Sequence, residues 1–336
     1  VPTIGDRPLG AHGPRVSAIG LGAMGMSDLY GPADEQESIA TLHAAIDAGV
    51  TLIDTGDFYG SGHNEMLIGR ALKERRREDV VISVKFGTRR TPDGGFQPVP
   101  ADVSAAAVKD RLAYSLRRLG TDYIDIYRPS RLNPQIPVEE TVGALLEMQQ
   151  AGYIRHIGLS EVGADTIRRA AAVAPISDLQ IEYSLLSRGP EKAIIPALRE
   201  LGIGLTAYGV LSRGLLSGHW DPDRKLTGGD FRAHSPRFQD GNLEANLRLV
   251  AALTRVAERI GATTSQVAIA WVAAQGEDIV PLVGARRRDR LTESLAALDL
   301  TLDQETLAEI ETAVPANAAA GDRYAAQHLA MLDSEK

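Results

Sequence analysis

Two apolar runs of this chain end in groups that can move a proton. Leu52-Ile53 leads into Asp54-Thr55-Gly56-Asp57-Phe58-Tyr59-Gly60, which puts an acid at the end of the run and a phenol five residues on. Val80-Val81-Ile82-Ser83-Val84 ends in Lys85. A phenol titrates at about 10 and is a weak acid at neutral pH; a nearby ammonium eases its ionisation, and a carboxylate keeps that ammonium charged and oriented. Asp54, Tyr59 and Lys85 therefore read as a proton relay for an oxygen that gains or loses negative charge. The structural alternative is a buried Asp–Lys pair with Tyr59 as packing, and the meeting of all three at run ends favours the relay.

A second constellation is Ile279-Val280-Pro281-Leu282-Val283-Gly284-Ala285-Arg286-Arg287-Arg288-Asp289-Arg290. A strand, a glycine turn and a helix start offer free backbone N–H groups and the positive end of the helix dipole to an anion. Arginine adds forked, charge-assisted bonds. Cations are disfavoured at a helix start, so four arginines in five positions read as a phosphate cradle rather than a solvated first turn.

The elements that must position these groups follow from periodicity. Short apolar runs at 18–21, 50–53, 80–84, 123–127, 154–159, 178–181, 203–207 and 279–283 alternate with amphipathic helical stretches such as 35–48, 65–74, 103–119, 138–151, 164–172, 191–201 and 246–260. Gly49, Gly120, Gly152, Gly202 and Gly261 stand where helices end. Eight strand–helix alternations predict a parallel (β/α)8 TIM barrel over residues 1–336 as one domain, and not a doubly wound open sheet. Leu21-Gly22-Ala23-Met24-Gly25-Met26 matches the open-sheet nucleotide motif only loosely. Residues 8–17 predict a hairpin closing the barrel floor, and 303–314 and 323–332 predict extra C-terminal helices. The connection from His219 to Glu244 is too long to be a plain turn, and it falls on the face where barrels keep their sites.

Composition sets limits. The chain has 336 residues, 44% of them hydrophobic, enough for a large core. No apolar run reaches the ~18 residues of a membrane span, and the opening residues lack the basic-then-apolar build of a secretory signal. Together with the absence of cysteine, this gives an expectation of a cytoplasmic protein without thiolate chemistry. A net charge of -8 argues against general nucleic-acid binding. Of the 36 cationic residues 30 are arginine and 6 lysine, so a lysine at a strand end carries more information. The histidines at 43, 156, 219, 234 and 328 show no paired ligand spacing, and no metal is expected. His63 is near enough to Tyr59 in sequence to reach a pocket mouth, although a surface place is the expectation. Asp54 and Asp57 could serve as a glycosidase pair, but Lys85 and the arginine cradle have no part in that mechanism.

DTGDFYG at 54–60, Asn64-Glu65 with LIGRAL at 67–72, VKFG at 84–87, IGLSE at 157–161, QIEYS at 180–184, AYGVLSRGLLSG at 207–218 and the run 284–293 together resemble the aldo-keto reductases, in that family's order and along nearly the whole chain. Among its members the chain looks closer to the pyridoxal-reductase-like and auxin-induced-type proteins. The resemblance implies NADPH-dependent reduction of an aldehyde or ketone, a small-molecule substrate and no metal. By residue matching, Asp54, Tyr59 and Lys85 are catalytic, with Tyr59 as the proton donor. Ala23, Met24 and Asp54 would line the cofactor, Ser160 and Gln180 would hold its carboxamide, and Tyr208 would stack on nicotinamide. Gly209, Leu211 and Arg213 would lie along the pyrophosphate, partly under the long loop. Gly284, Arg286 and Arg290 would meet the 2′-phosphate, and Glu293 and Ser294 would lie at the adenine. Glu161 and Ser294 depart from the family's usual residues. Met24, Tyr30, Phe58, Phe86 and Tyr127 are expected pocket walls for an apolar or aromatic carbonyl compound.

The family's fourth catalytic residue is a histidine, and Ser130, in Arg128-Pro129-Ser130-Arg131, stands at its position. Serine can donate one hydrogen bond to a carbonyl but is shorter and carries no charge. Three readings compete: a reductase in which Ser130 polarises the carbonyl, one in which Arg128 or Arg131 turns inward as the donor, and a cofactor-binding regulator of negligible turnover like the potassium-channel beta subunits. Oligomeric state leaves no mark in the sequence.

Overall fold

A computed structural model describes residues 4–27, 29–221, 223–226, 229–239 and 241–336. Residues 1–3 of the opening stretch, and residues 222, 227–228 and 240 of the long connection, lie outside the described residues. Two short strands, β1 (Asp6–Pro8) and β2 (Arg15–Ser17), pair antiparallel. The strands β3 (Gly20–Gly22), β4 (Leu52–Gly56), β5 (Val81–Phe86), β6 (Ile124–Pro129), β7 (Ile154–Ser160), β8 (Ile176–Glu182), β9 (Gly204–Tyr208) and β10 (Ile279–Gly284) follow. All eight pair in parallel and close into a barrel, with β10 hydrogen-bonded to both β9 and β3. The open-sheet alternative is thereby excluded.

Parallel strands are covered on both faces, which is why they read as nearly unbroken apolar runs. The hairpin carries Leu9 and Val16 into contact with Leu52, Ile126 and Val280, a small apolar cluster that plugs the floor. Helices α1 (Glu35–Asp47), α2 (His63–Leu72), α3 (Ala105–Leu119), α4 (Val138–Gln150), α5 (Ala164–Ala171) and α6 (Ile194–Leu201) alternate with the strands. Two helices, α7 (Asn242–Arg259) and α8 (Thr264–Ala274), separate β9 from β10, and α9 (Arg288–Leu295) and α10 (Gln304–Ala313) follow.

The second expected C-terminal helix is corrected. Only α11 (Ala326–Leu329) is helical within 323–332. Residues Arg323 and Tyr324 are non-helical because their side chains reach back over the barrel mouth, to Glu161 and Tyr208. The long connection is pinned there too: Phe231 N donates to Leu29 O at 2.9 Å, and Tyr30 bridges Asp230. A strap therefore crosses the C-terminal ends of the strands, the face where barrel enzymes assemble their sites.

Candidate active site

Strand alternation aims Asp54, Ser83 and Lys85 to the barrel interior at one level. Asp54 Oδ2 accepts from Ser83 Oγ at 2.9 Å and from Gln180 Nε2 at 2.8 Å. Lys85 Nζ bonds Asp54 Oδ1 and donates to Gln180 Oε1 at 2.8 Å. This closed polar triangle is buried, and each charge in it has a partner, as burial demands. Above it Lys85 Nζ lies 5.2 Å from the centre of the Tyr59 ring. Tyr59 reaches that place through a tight turn in which Gly60 and Ser61 take φ of 55 and 54.

Burial, and then the charge of Asp54, push the Tyr59 phenol well above its usual value, while Arg131 pulls the other way. Burial pulls the Lys85 ammonium down against the field of Asp54. The resting phenol thus keeps its proton at neutral pH, which is the state a proton donor needs. Asp57, the other acid of the glycosidase alternative, is tied to Arg111 at 2.8 Å and takes no part in the triangle.

Ser130 is buried at the end of β6, its N–H on Phe86 O at 2.8 Å and its hydroxyl 2.7 Å from Thr88 Oγ1. Arg128 is fully buried, its NH1 and NH2 reaching Asp178 Oδ2 and Oδ1 at 2.8 and 3.0 Å and also Leu159 O and Ser83 Oγ. A guanidinium so committed cannot turn to a substrate, so the inward-turning alternative fails for Arg128. Gly158 makes room for it: a Cβ there would stand 2.8 Å from the Arg128 Cζ. Phe86 and Tyr127 are corrected as pocket walls. They stack on each other at 4.5 Å in the core, because a period of two turns them to the helices when Lys85 and Arg128 face the interior. Met24, Tyr30 and Phe58 stay half-buried at the rim. A cavity of about 460 Å³ opens between Asp57, Phe58, Thr88, Arg90 and Arg111. His63 sits at the outer edge, between Ser27 and Glu35.

The residues matched to a cofactor fall in one arc. Ala23 is buried, its N–H on Asp54 O, and Met24 opens the short turn that follows. Ser160 pairs with Gln180 across β7 and β8, and its buried hydroxyl has no protein partner. Tyr208 donates to Glu161 Oε1 at 2.7 Å, and its oxygen is 2.9 Å from the Tyr324 hydroxyl. Gly209 has φ of 67, and a Cβ there would lie 3.0 Å from Glu182 Cγ. Leu211 is half-buried, at the start of a turn in which Arg213 itself takes a positive φ. Arg213 meets Glu182, Ser235 and the Arg323 carbonyl. Arg232 of the strap donates to the Arg213 carbonyl, so the long loop does cover this segment.

At β10, Gly284 is exposed and Arg286 NH1 spans the carbonyls of Tyr30, Gly31 and Pro32. Burial, then the like charges of Arg232 and Arg224, draw the Arg286 guanidinium below its usual range. Arg290 meets Glu293 and His219. The Ser294 hydroxyl turns back onto the Arg290 carbonyl of its own helix at 2.9 Å. Arg287 and Arg288 are taken by Asp289 and Glu37. The structure thus splits the arginine run: Arg286 lies on backbone carbonyls, whereas Arg287, Arg288 and Arg290 pair with carboxylates.

Four residues of the site had no place in the sequence reading: Arg232, Arg237, Arg323 and Tyr324. The arginine content of the long connection was the available signal for the first two. Arg323 grips Glu161 with NH1 at 2.9 Å and NH2 at 2.5 Å. Glu161, held at φ of 54 and fully buried, has the larger share of its partners there and in Tyr208, Ser334 and the N–H of Glu182. Burial works to raise its carboxyl, but Arg323 overcomes that and holds it at about 2, against a usual 4.5. A depressed carboxyl contributes stability that is complete above its unfolded pKa and is lost as pH falls through the folded one. Urea titrations should therefore find Arg323→Gln less stable than the parent by about 3 kcal/mol at pH 7, with the gap narrowing as pH falls toward about 2. A gap that does not change across that window would contradict the assignment.

Among the described residues no helix is long and apolar enough to cross a membrane, and no group of three or more His, Asp or Glu is placed to hold a metal. Residues 18–315 match the model of the aldo/keto reductase family. A probable aldo-keto reductase 1 of Glycine max is 40% identical over 317 residues, 94% of this chain and 90% of that one. The solved glycerol dehydrogenase AKR11B4 from Gluconobacter oxydans superposes with a TM-score of 0.82 at 28% identity, covering 92% of this chain and 94% of the other. The holo form of aldo-keto reductase AKR11C1 from Bacillus halodurans gives 0.75 at 28% identity, over 93% and 97%. A barrel whose mouth gathers an acid, a phenol and a lysine, and whose sequence matches over nearly its full length, belongs to the aldo/keto reductase family of oxidoreductases.

Proposed function

We propose that the protein reduces an aldehyde or ketone to the alcohol with NADPH, Tyr59 giving the proton. The observation that carries this is the buried Asp54–Lys85–Gln180 triangle beneath the Tyr59 ring. Two features suit the cofactor: the unpartnered Ser160 hydroxyl beside Gln180 fits a carboxamide, and Arg286, crowded by Arg232 and Arg224, fits a phosphate. When bound, NADPH supplies the hydride to the carbonyl carbon.

The chain's own residues do the rest. Lys85, fixed by Asp54 and Gln180, places a positive charge under the phenol, so the phenolate left after proton donation is stabilised where it forms. Thr88 can donate to the Ser130 oxygen, which frees the Ser130 hydrogen for the substrate oxygen. Serine at this position leaves space that a histidine ring would fill. The cavity beside Phe58 and Thr88 extends that space.

The test is NADPH oxidation with aromatic aldehydes, pyridoxal and quinones. Turnover is expected, with NADPH preferred to NADH. Ser130→Ala should lower kcat/KM by roughly 10- to 100-fold, the worth of one hydrogen bond to a developing charge. Tight NADPH binding with no carbonyl reduced would overturn this reading in favour of a regulatory protein.

A further inference from the structure

Several arginines around the barrel mouth are matched to acids, whereas Arg286, suited to a phosphate, lies on backbone carbonyls. Arg128 is paired with Asp178, Arg213 and Arg237 with Glu182, Arg232 with Asp230, and Arg323 with Glu161. Arg131 is different. It follows Ser130 directly, its guanidinium is half-buried, and its hydrogen bonds go to neutral oxygens: NH1 to the Ser130 carbonyl at 2.6 Å and NH2 to the Tyr324 hydroxyl at 3.5 Å. Among the described residues no carboxylate forms an ion pair with it. Glu161, whose field reaches it, is already gripped by both terminal nitrogens of Arg323. Burial acts against the charge of Arg131, but Tyr208, Tyr324 and Glu161 outweigh burial and keep the guanidinium charged. Its two hydrogen bonds use only part of its five N–H donors, which leaves donors for an anion.

That anion is not one of the cofactor's phosphates on the reading proposed above. The groups suited to those phosphates, Arg213 and Arg286, follow β9 and β10. In the strand order β10-β3-β4-β5-β6-β7-β8-β9, Arg131 follows β6, which stands four places from β10 and three from β9. This is the side of Ser130, and Arg131 is close enough to act on the Tyr59 phenol. A guanidinium is a planar fork that matches a carboxylate with two parallel bonds.

We propose that Arg131 is a specificity-determining residue that anchors a carboxylate on the carbonyl substrate, so that the preferred substrates are aldehydes or ketones bearing a carboxylate away from the reacting carbon. This rests on the proposed reductase function. The carboxylate would replace the weak Tyr324 contact and hold the carbonyl between Ser130 and Tyr59. Arg131 acts in binding and orientation and moves no proton.

The test compares the acid 4-carboxybenzaldehyde with its neutral methyl ester as substrates of the native protein, Arg131→Gln and Arg131→Lys. The native enzyme should prefer the acid. In Arg131→Gln the ratio of kcat/KM for acid over ester should fall roughly 10- to 100-fold, chiefly through KM for the acid, as loss of a charge-assisted bond predicts. Arg131→Lys should recover part of the ratio. Benzoate binding to the NADPH-loaded protein, measured by calorimetry, gives a readout that needs no turnover and should vanish in Arg131→Gln but persist in part in Arg131→Lys. If neither aldehyde is reduced yet benzoate binds in an Arg131-dependent way, the reductase reading fails and the anion site stands. An unmoved ratio, benzoate binding equal in native and Arg131→Gln proteins, or no benzoate binding by the native protein would each overturn the proposal.

Discussion

Replacing Tyr59 by phenylalanine is expected to lower carbonyl reduction by about 10²- to 10⁴-fold, the usual worth of a positioned general acid, while the protein still folds and binds NADPH. The loss should be that clean because the hydroxyl is what is removed. The ring keeps its edge-on contact with Phe58 at 4.7 Å and its place over Lys85. Single-turnover rates and NADPH affinity by fluorescence check the two halves separately. A fall in affinity with the rate per bound cofactor unchanged would remove Tyr59 from the chemistry. The pH profile adds a second check with a definite sign. Burial and Asp54 raise the phenol, so in the reducing direction the donor form persists to alkaline pH. Any loss of rate from ionised phenol is therefore expected above pH 10, the ordinary phenol value, and not below it.

The second large effect is on stability. Arg128→Met should cost about 3–5 kcal/mol, because it strands the Asp178 carboxylate in the barrel interior with only hydroxyl donors from Ser177 and Thr206. A lower urea midpoint at an unchanged slope is the expected signature. Because the penalty comes from one orphaned charge, the double variant Arg128→Met with Asp178→Leu should regain much of the loss. A double variant as unstable as the sum of two crippling single changes would mean that the pair, and not the orphan, is what matters.

The barrel was legible because its strands are sheathed on both sides, so eight apolar runs survive with helix-ending glycines between them. The acid and the lysine were legible for the same reason, each ending such a run, and the phenol by standing five residues past the acid. What escaped notice is also physical. Helix α8 is apolar on every face, Val267 to Val272 being buried, and shows no amphipathic period to count. Arg128 looks like a surface residue until Asp178, 50 positions on, meets it inside the barrel. Phe86 and Tyr127 looked like pocket walls because their neighbours face the site, whereas a strand sends adjacent residues to opposite sides. Arg323 and Tyr324 sit in an unremarkable polar stretch, and their role depends wholly on Glu161 and Tyr208 far upstream.

The grip of Arg323 on Glu161 also constrains how such chains can diverge. The two positions lie 162 residues apart, yet loss of Arg323 takes from the buried Glu161 the guanidinium that grips both of its oxygens. A neutral residue such as asparagine at 161 would release 323 from carrying a cation, while glutamate at 161 demands one. Position 161 and the segment around 323 should therefore co-vary among relatives, and the pairing should separate those whose mouth is tied down by the tail from those whose mouth is not.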